Sequence, residues 1–168
     1  MPLPRSILRL TEEELEELLT TERSLRIGTV NKDGTPHVAP LWFVWHDGAI
    51  WINSLHRSRR TTDLASGSTV ALCIDAGHDY AELRGAVLYG TPEEITDEAR
   101  TTQARKLFGK KYWNIDEIPV TKSHTWLRVK PDKIVSWDFK KIPIGKDPKL
   151  DAQTQIKGER GPTGEPRG

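Results

Sequence analysis

Val38-Ala39-Pro40-Leu41-Trp42-Phe43-Val44-Trp45, then His46-Asp47-Gly48, then Ala49-Ile50-Trp51-Ile52-Asn53 is the passage from which the fold can be read. Two short apolar runs rich in β-branched and aromatic residues flank a turn of Asp and Gly, which is the pattern of a β-hairpin. The first run is apolar at consecutive positions, so it reads as one strand covered on both faces. Pro36 and Pro40 have no N–H to give a ladder, which puts the start of that strand at a sheet edge or a bulge.

Upstream, Ser24 to Val30 has strand character and Asn31-Lys32-Asp33-Gly34 is a hairpin turn. Before it, Thr11-Glu12-Glu13-Glu14 is a capping box with Leu10 and Leu15 at the staple positions. Leu15, Leu18 and Leu19 then give that helix one narrow apolar stripe. Downstream, Val70, Leu72 and Ile74 alternate with Ala71, Cys73 and Asp75, and Leu83 to Thr91 is a further strand. The glycines of that strand point to a close approach or a bend. A second helix is expected from about Asp97 to Lys111, and the last strands are His124 to Val129 and Lys133 to Phe139. This pattern predicts a mainly β protein, a small antiparallel barrel of six or seven strands with helical decoration, over residues 5–142. Residues 143–168 hold glycines, prolines and charge but no aromatic side chain, the composition of a flexible polar tail.

The chain has 168 residues, with 25 Lys plus Arg against 24 Asp plus Glu, a formal net charge of +1. That balance disfavours general binding of nucleic acid or of membrane surfaces. One cysteine excludes an internal disulfide and fits a reducing compartment, and no apolar run is long enough to span a bilayer. A cytoplasmic protein is expected. There is no P-loop, dinucleotide glycine motif, HExxH or Cys/His metal spacing, and the five histidines are scattered. No catalytic side chain and no metal ligand is singled out.

One stretch has a charge pattern of its own, Asn53-Ser54-Leu55-His56-Arg57-Ser58-Arg59-Arg60-Thr61-Thr62-Asp63-Leu64. It follows a strand and reads as the start of a short helix that stops at Gly67. Cations are the wrong sign at a helix N-terminus unless an anion sits among them. A phosphate held by Ser54, Ser58 and the arginines is one reading, and a solvated basic turn is the other. The six tryptophans likewise allow two readings. They are core and interface residues, or some of Trp42, Trp45, Trp51 and Trp137 line a pocket for a flat cofactor.

The order of these pieces resembles the pyridoxamine 5'-phosphate oxidase-like family of flavin- and deazaflavin-binding split β-barrels. The matching segments are the helix Leu10–Leu19, Ile27-Gly28-Thr29-Val30, Gly34 to Phe43, Ser58 to Leu64, Val70 to Asp75 and Arg84 to Gly90, within residues 8–140. The resemblance implies an FMN-binding type of barrel whose cofactor is FMN or the deazaflavin coenzyme F420. It implies Ser54, Ser58, Arg59 and Arg60 as phosphate ligands, with Arg57 adding charge. His37, Val38, Ala39, Pro40 and Trp42 would lie along the ring system. Family members often have Lys at the position of Arg60 and Asn at that of Asp63. Arg57 and Arg59 exceed the need of one phosphate, which favours the more acidic deazaflavin.

The implied protein is a homodimer with cofactor sites between subunits. It would be an oxidoreductase that moves a hydride to or from a small organic molecule. A non-catalytic flavin carrier, sensor or haem-handling protein is the alternative. A nucleic-acid-binding barrel using Arg57–Arg60 is disfavoured by the neutral net charge.

Overall fold

A computed structural model of the chain describes residues 5–56 and 67–143. A short 3-10 turn (Arg5–Leu8) leads into α1 (Glu12–Thr21). The strands are β1 (Ser24–Val30), β2 (Pro36–Trp42), β3 (Val44–His46), β4 (Ala49–Leu55), β5 (Val70–Ala76), β6 (Arg84–Gly90), β7 (Pro92–Ile95), β8 (His124–Val129) and β9 (Lys133–Asp138). Helix α2 (Glu98–Trp113) stands between β7 and β8. They form two antiparallel sheets, β2-β1-β5-β6-β9 and β3-β4-β8-β7, so the fold is a mainly β split barrel as expected. The helix expected to follow the basic stretch, and the tail from 144 on, lie outside the described residues.

Among the described residues nine strands stand where six or seven were expected, for two physical reasons. The first is Phe43, which interrupts the run expected to be one strand from Val38 to Trp45 and carries the chain from the first sheet to the second. Phe43 is the largest fully buried side chain among the described residues, and its N–H donates to the Tyr112 hydroxyl at 2.9 Å instead of to a neighbouring strand. The second is β7, where Pro92 begins a short edge strand and Glu93 and Glu94 face water. Proline and charge are what an edge tolerates.

Local sequence accounts for much of the rest. The Thr11 hydroxyl accepts from the Glu14 N–H, and the Glu14 carboxylate accepts from the Thr11 N–H at 2.7 Å, which starts α1 at Glu12. His46 pairs with Ala49 across Asp47 (φ 52°) and Gly48 (φ 62°), a type I′ hairpin turn. Asp97 caps α2 through the Ala99 N–H, and Asn114 ends it in the left-handed region.

The main core lies between the sheets and under α1. It holds Leu18, Leu19, Ile27, Phe43, Ile52 and Leu72 among others. A second core fills the space between the smaller sheet and α2, with Trp51, Ala104, Phe108 and Trp126. Gly85 shows what the glycines of β6 are for. A Cβ there would lie 2.5 Å from the Trp137 ring and 2.8 Å from the Ile74 carbonyl oxygen, so the close approach is by an indole and by strand backbone.

The outer face of the larger sheet has a different character. Alternation along β2 leaves Pro36, Val38, Pro40 and Trp42 exposed, with Val38 67% accessible. The run expected to be covered on both faces is thus open on one of them in the single chain.

Candidate functional site

β2 is an edge strand. It pairs with β1 from Ser24↔Trp42 to Val30↔Pro36 and, among the described residues, has no strand on its other side, so part of its backbone is open to bond something else. Its register divides the residues expected to bind cofactor. His37 and Ala39 point with Leu41 toward the barrel interior, while Val38, Pro40 and Trp42 point outward.

Three polar atoms near the closed end of this hairpin are buried without a hydrogen-bond partner: Thr29 Oγ1, Asn31 Oδ1 and His37 Nδ1. Thr29 and His37 are direct cross-strand partners on the inward face. Leaving a buried polar group unpaired costs about 1–3 kcal/mol, so such groups need an explanation. A bound molecule with a polar edge would satisfy them, and a flavin or deazaflavin ring has such an edge. Thr29 and Asn31 were not among the residues expected in the site. Their signal, visible once the hairpin register is known, is that they share its inward side with His37.

β2 touches β4 across the opening between the sheets. Ser54 is 2% exposed near the end of β4, on the same side as the core residues Ile50 and Ile52. Arg57, Ser58, Arg59 and Arg60 lie outside the described residues. His56 closes the described part, its N–H donating to the Ser123 carbonyl at 3.0 Å and its ring 3.8 Å from Glu94.

The tryptophans are now separable. Trp51 belongs to the second core, with its indole N–H donating to the His46 carbonyl. Trp137 covers Gly85. Trp45 donates its indole N–H to Glu16 at 2.6 Å. Trp42 stacks on Tyr112 at 4.4 Å with 7° between the planes and meets Trp113 edge-on at 5.5 Å. One face of Trp42 is therefore taken by protein, although the residue is 46% exposed.

Behind Trp42 lies a titratable pair. Burial raises Tyr112 to about 12, its hydroxyl being 2.7 Å from the Phe43 and Arg23 carbonyl oxygens. Burial lowers Lys111 to about 8, and Arg23 adds to that while Glu22 opposes it. An unfolded lysine titrates near 10.4. Below pH 8 Lys111 is charged in both states, and the folded chain carries the full cost of holding the charged amine. From pH 8 to about 10.4 the unfolded chain binds more protons, so stability rises with pH. Tyr112 contributes in the opposite sense only above about pH 10. The expected result is that Lys111→Met is more stable than the native chain at pH 7, and that this advantage shrinks between pH 8 and 10. Urea midpoints of both chains across that range check it; a constant difference would refute it.

Among the described residues no cluster of three or more His, Cys, Asp or Glu side chains converges as metal ligands do, and no helix is long and apolar enough to cross a membrane.

The sequence profile of the pyridoxamine 5'-phosphate oxidase family matches residues 11–138, which include both sheets and both α-helices of the described residues. The chain belongs to the pyridoxamine 5'-phosphate oxidase family. No curated protein sequence matches it significantly. Solved structures share the fold of this family member. One is the conserved hypothetical protein Rv2991 of Mycobacterium tuberculosis, 21% identical over 84% of this chain and 94% of that one, with a TM-score of 0.74. Another is the FAD and heme binding protein of Mycobacterium smegmatis, 20% identical over 84% and 78%, with a TM-score of 0.68. A third is a putative 5-nitroimidazole antibiotic resistance protein of Bacteroides thetaiotaomicron, 17% identical over 77% and 84%, with a TM-score of 0.67. At these identities the likeness is one of fold. In this pyridoxamine 5'-phosphate oxidase family member, β2 and the end of β4 carry the described residues expected from the sequence to hold a cofactor.

Proposed function

We propose that the protein binds FMN or coenzyme F420 and works as an oxidoreductase, moving a hydride between that cofactor and a small organic substrate. The observation that carries the reading is the pair of buried, unpartnered polar atoms, Thr29 Oγ1 and His37 Nδ1, on the inward face of an edge strand in a chain of this family. When bound, a flavin or deazaflavin supplies the hydride chemistry itself. The protein's part is to hold and orient. His37 and Thr29 offer hydrogen bonds to a ring edge, and Ala39 leaves room beside them. Ser54, Ser58, Arg59 and Arg60 hold the phosphate, with Arg57 adding positive charge. Trp42, Val38 and Pro40 face away from that interior, so their part belongs to a site shared with a second copy.

A homodimer follows from the same reading. Val30, Val38 and Trp42 are all at least 46% exposed. They continue one another on the outer face of the hairpin, and a second copy would cover them.

The deciding experiment is titration of the native chain and Arg60→Ala with FMN and with F420, followed by tryptophan fluorescence. Losing one charge-assisted hydrogen bond of about 1.5–3 kcal/mol weakens binding about 10- to 150-fold. If neither cofactor binds the native chain in the micromolar range, the reading fails. If Arg60→Ala binds as tightly as native, the phosphate assignment is wrong.

The second reading is a non-catalytic flavin or haem carrier. The FAD and heme binding protein of M. smegmatis, which shares the fold, favours it. A chain that loads with cofactor but never reoxidises it with any organic acceptor would decide for the carrier.

A further inference from the structure

Lys111 has an amine with nothing to bond. Its Nζ is buried without a hydrogen-bond acceptor and rests over the Phe43 ring at 4.2 Å, with the Tyr112 ring at 5.7 Å. Those faces attract a cation, but they leave its N–H groups unsatisfied.

Beside it is a cleft of about 260 Å³ between α1, β3 and α2, lined by Thr20, Val44, Trp45, Leu107, Lys110 and Lys111. Val44, Trp45 and Leu107 make its walls apolar. Its other polar groups are already committed. The Thr20 hydroxyl donates to a carbonyl within α1, and the Trp45 indole N–H is held by Glu16. Two amines are among the lining residues and no carboxylate is. Of the charged groups acting on Lys111, Arg23 adds positive charge and Glu22 partly offsets it.

We propose that this cleft is a binding site for a compact apolar carboxylic acid. Its hydrocarbon body would lie against Val44, Trp45 and Leu107, and its carboxylate would be paired by Lys111 and Lys110. Size, wall and charge each select for this class. The walls desolvate a hydrocarbon, and a small ligand site is typically apolar with a few placed polar groups. A single carboxylate supplies the acceptor that Lys111 lacks, through the four rotatable bonds of its side chain. A phosphate would bring more hydration to lose against the same apolar walls. The proposal does not depend on the cofactor reading and can fail separately from it.

The test is calorimetric titration of the full chain with 1-naphthoate and octanoate, each against its neutral counterpart, naphthalene-1-methanol and 1-octanol. Each acid is expected to bind at least tenfold more tightly than its alcohol, and the tighter acid identifies the natural ligand as aryl or acyl. In Lys111→Met that preference should collapse to within about twofold while the melting temperature holds at or above native. Leu107→Trp, which fills the cleft from a partly exposed position, should weaken both acids at least tenfold. Equal binding of acid and alcohol, no binding of either acid, or a preference that survives Lys111→Met would overturn the proposal.

Discussion

Phe43→Ala is expected to cost about 3–5 kcal/mol, the range for removing a fully buried aromatic side chain. Phe43 is inaccessible to solvent and packs in the main core, at the point where the chain leaves one sheet for the other. Its loss would open a cavity between the sheets, take the ring from beneath Lys111 and weaken the seat of the Tyr112 hydroxyl on its backbone. Against a typical total of about 5–15 kcal/mol, that is a third or more of the stability of an ordinary domain. Urea denaturation at pH 7, comparing native, Phe43→Leu and Phe43→Ala chains, measures it. Phe43→Leu should lie between the other two, and a loss below about 1 kcal/mol for alanine would mean that the crossover is not held by this side chain.

Gly77→Ala should be nearly as damaging, for a backbone reason. Gly77 has φ 100°, and a Cβ there would sit 2.3 Å from the Glu82 carbonyl oxygen and 2.9 Å from the Leu83 nitrogen. Both obstacles are main chain in the turn between β5 and β6, so no rotamer change relieves them. Strain of about 1–3 kcal/mol from the dihedral adds to an overpacking cost of similar size. Gly34 provides the comparison. It has φ 84° but open space where its Cβ would go, so Gly34→Ala carries only the dihedral cost. For a chain of this size each kcal/mol lowers the melting temperature by about 2–4 °C. Gly77→Ala should therefore melt well below Gly34→Ala, and equal melting temperatures would contradict the close packing of this turn.

What could be read from the chain was what neighbours in sequence decide. Thr11 and Glu14 set the start of α1 by bonding each other, and Val70, Leu72 and Ile74 turned inward as alternation requires. The break at Phe43 could not be read that way. The run from Val38 to Trp45 is apolar throughout, and what ends β2 is a tyrosine 69 residues away. β7 was hidden because Pro-Glu-Glu reads as an approach to a helix, and only pairing with β8 makes it a strand.

The site divides along the same line. His37 and Ala39 face the interior because β1 fixes their register, while Val38, Pro40 and Trp42 face the other way. Lys111 had no signal in Gly109-Lys110-Lys111-Tyr112. Its amine is covered by the ring of Phe43, far away in sequence.

The hydrogen bonds that tie residues 9–14 to residues 136–141 bear on how the chain is made. The Leu10 N–H donates to the Ser136 hydroxyl, and the Lys141 amine bonds both the Arg9 carbonyl and the Glu14 carboxylate. A ribosome adding about 5–20 residues per second needs on the order of ten seconds to span that separation. For that interval Arg9, Leu10 and Glu14 lack these partners, and β6 waits with one edge unpaired. The nascent chain is most vulnerable to wrong pairing in that window, and the emergence of β9 closes it.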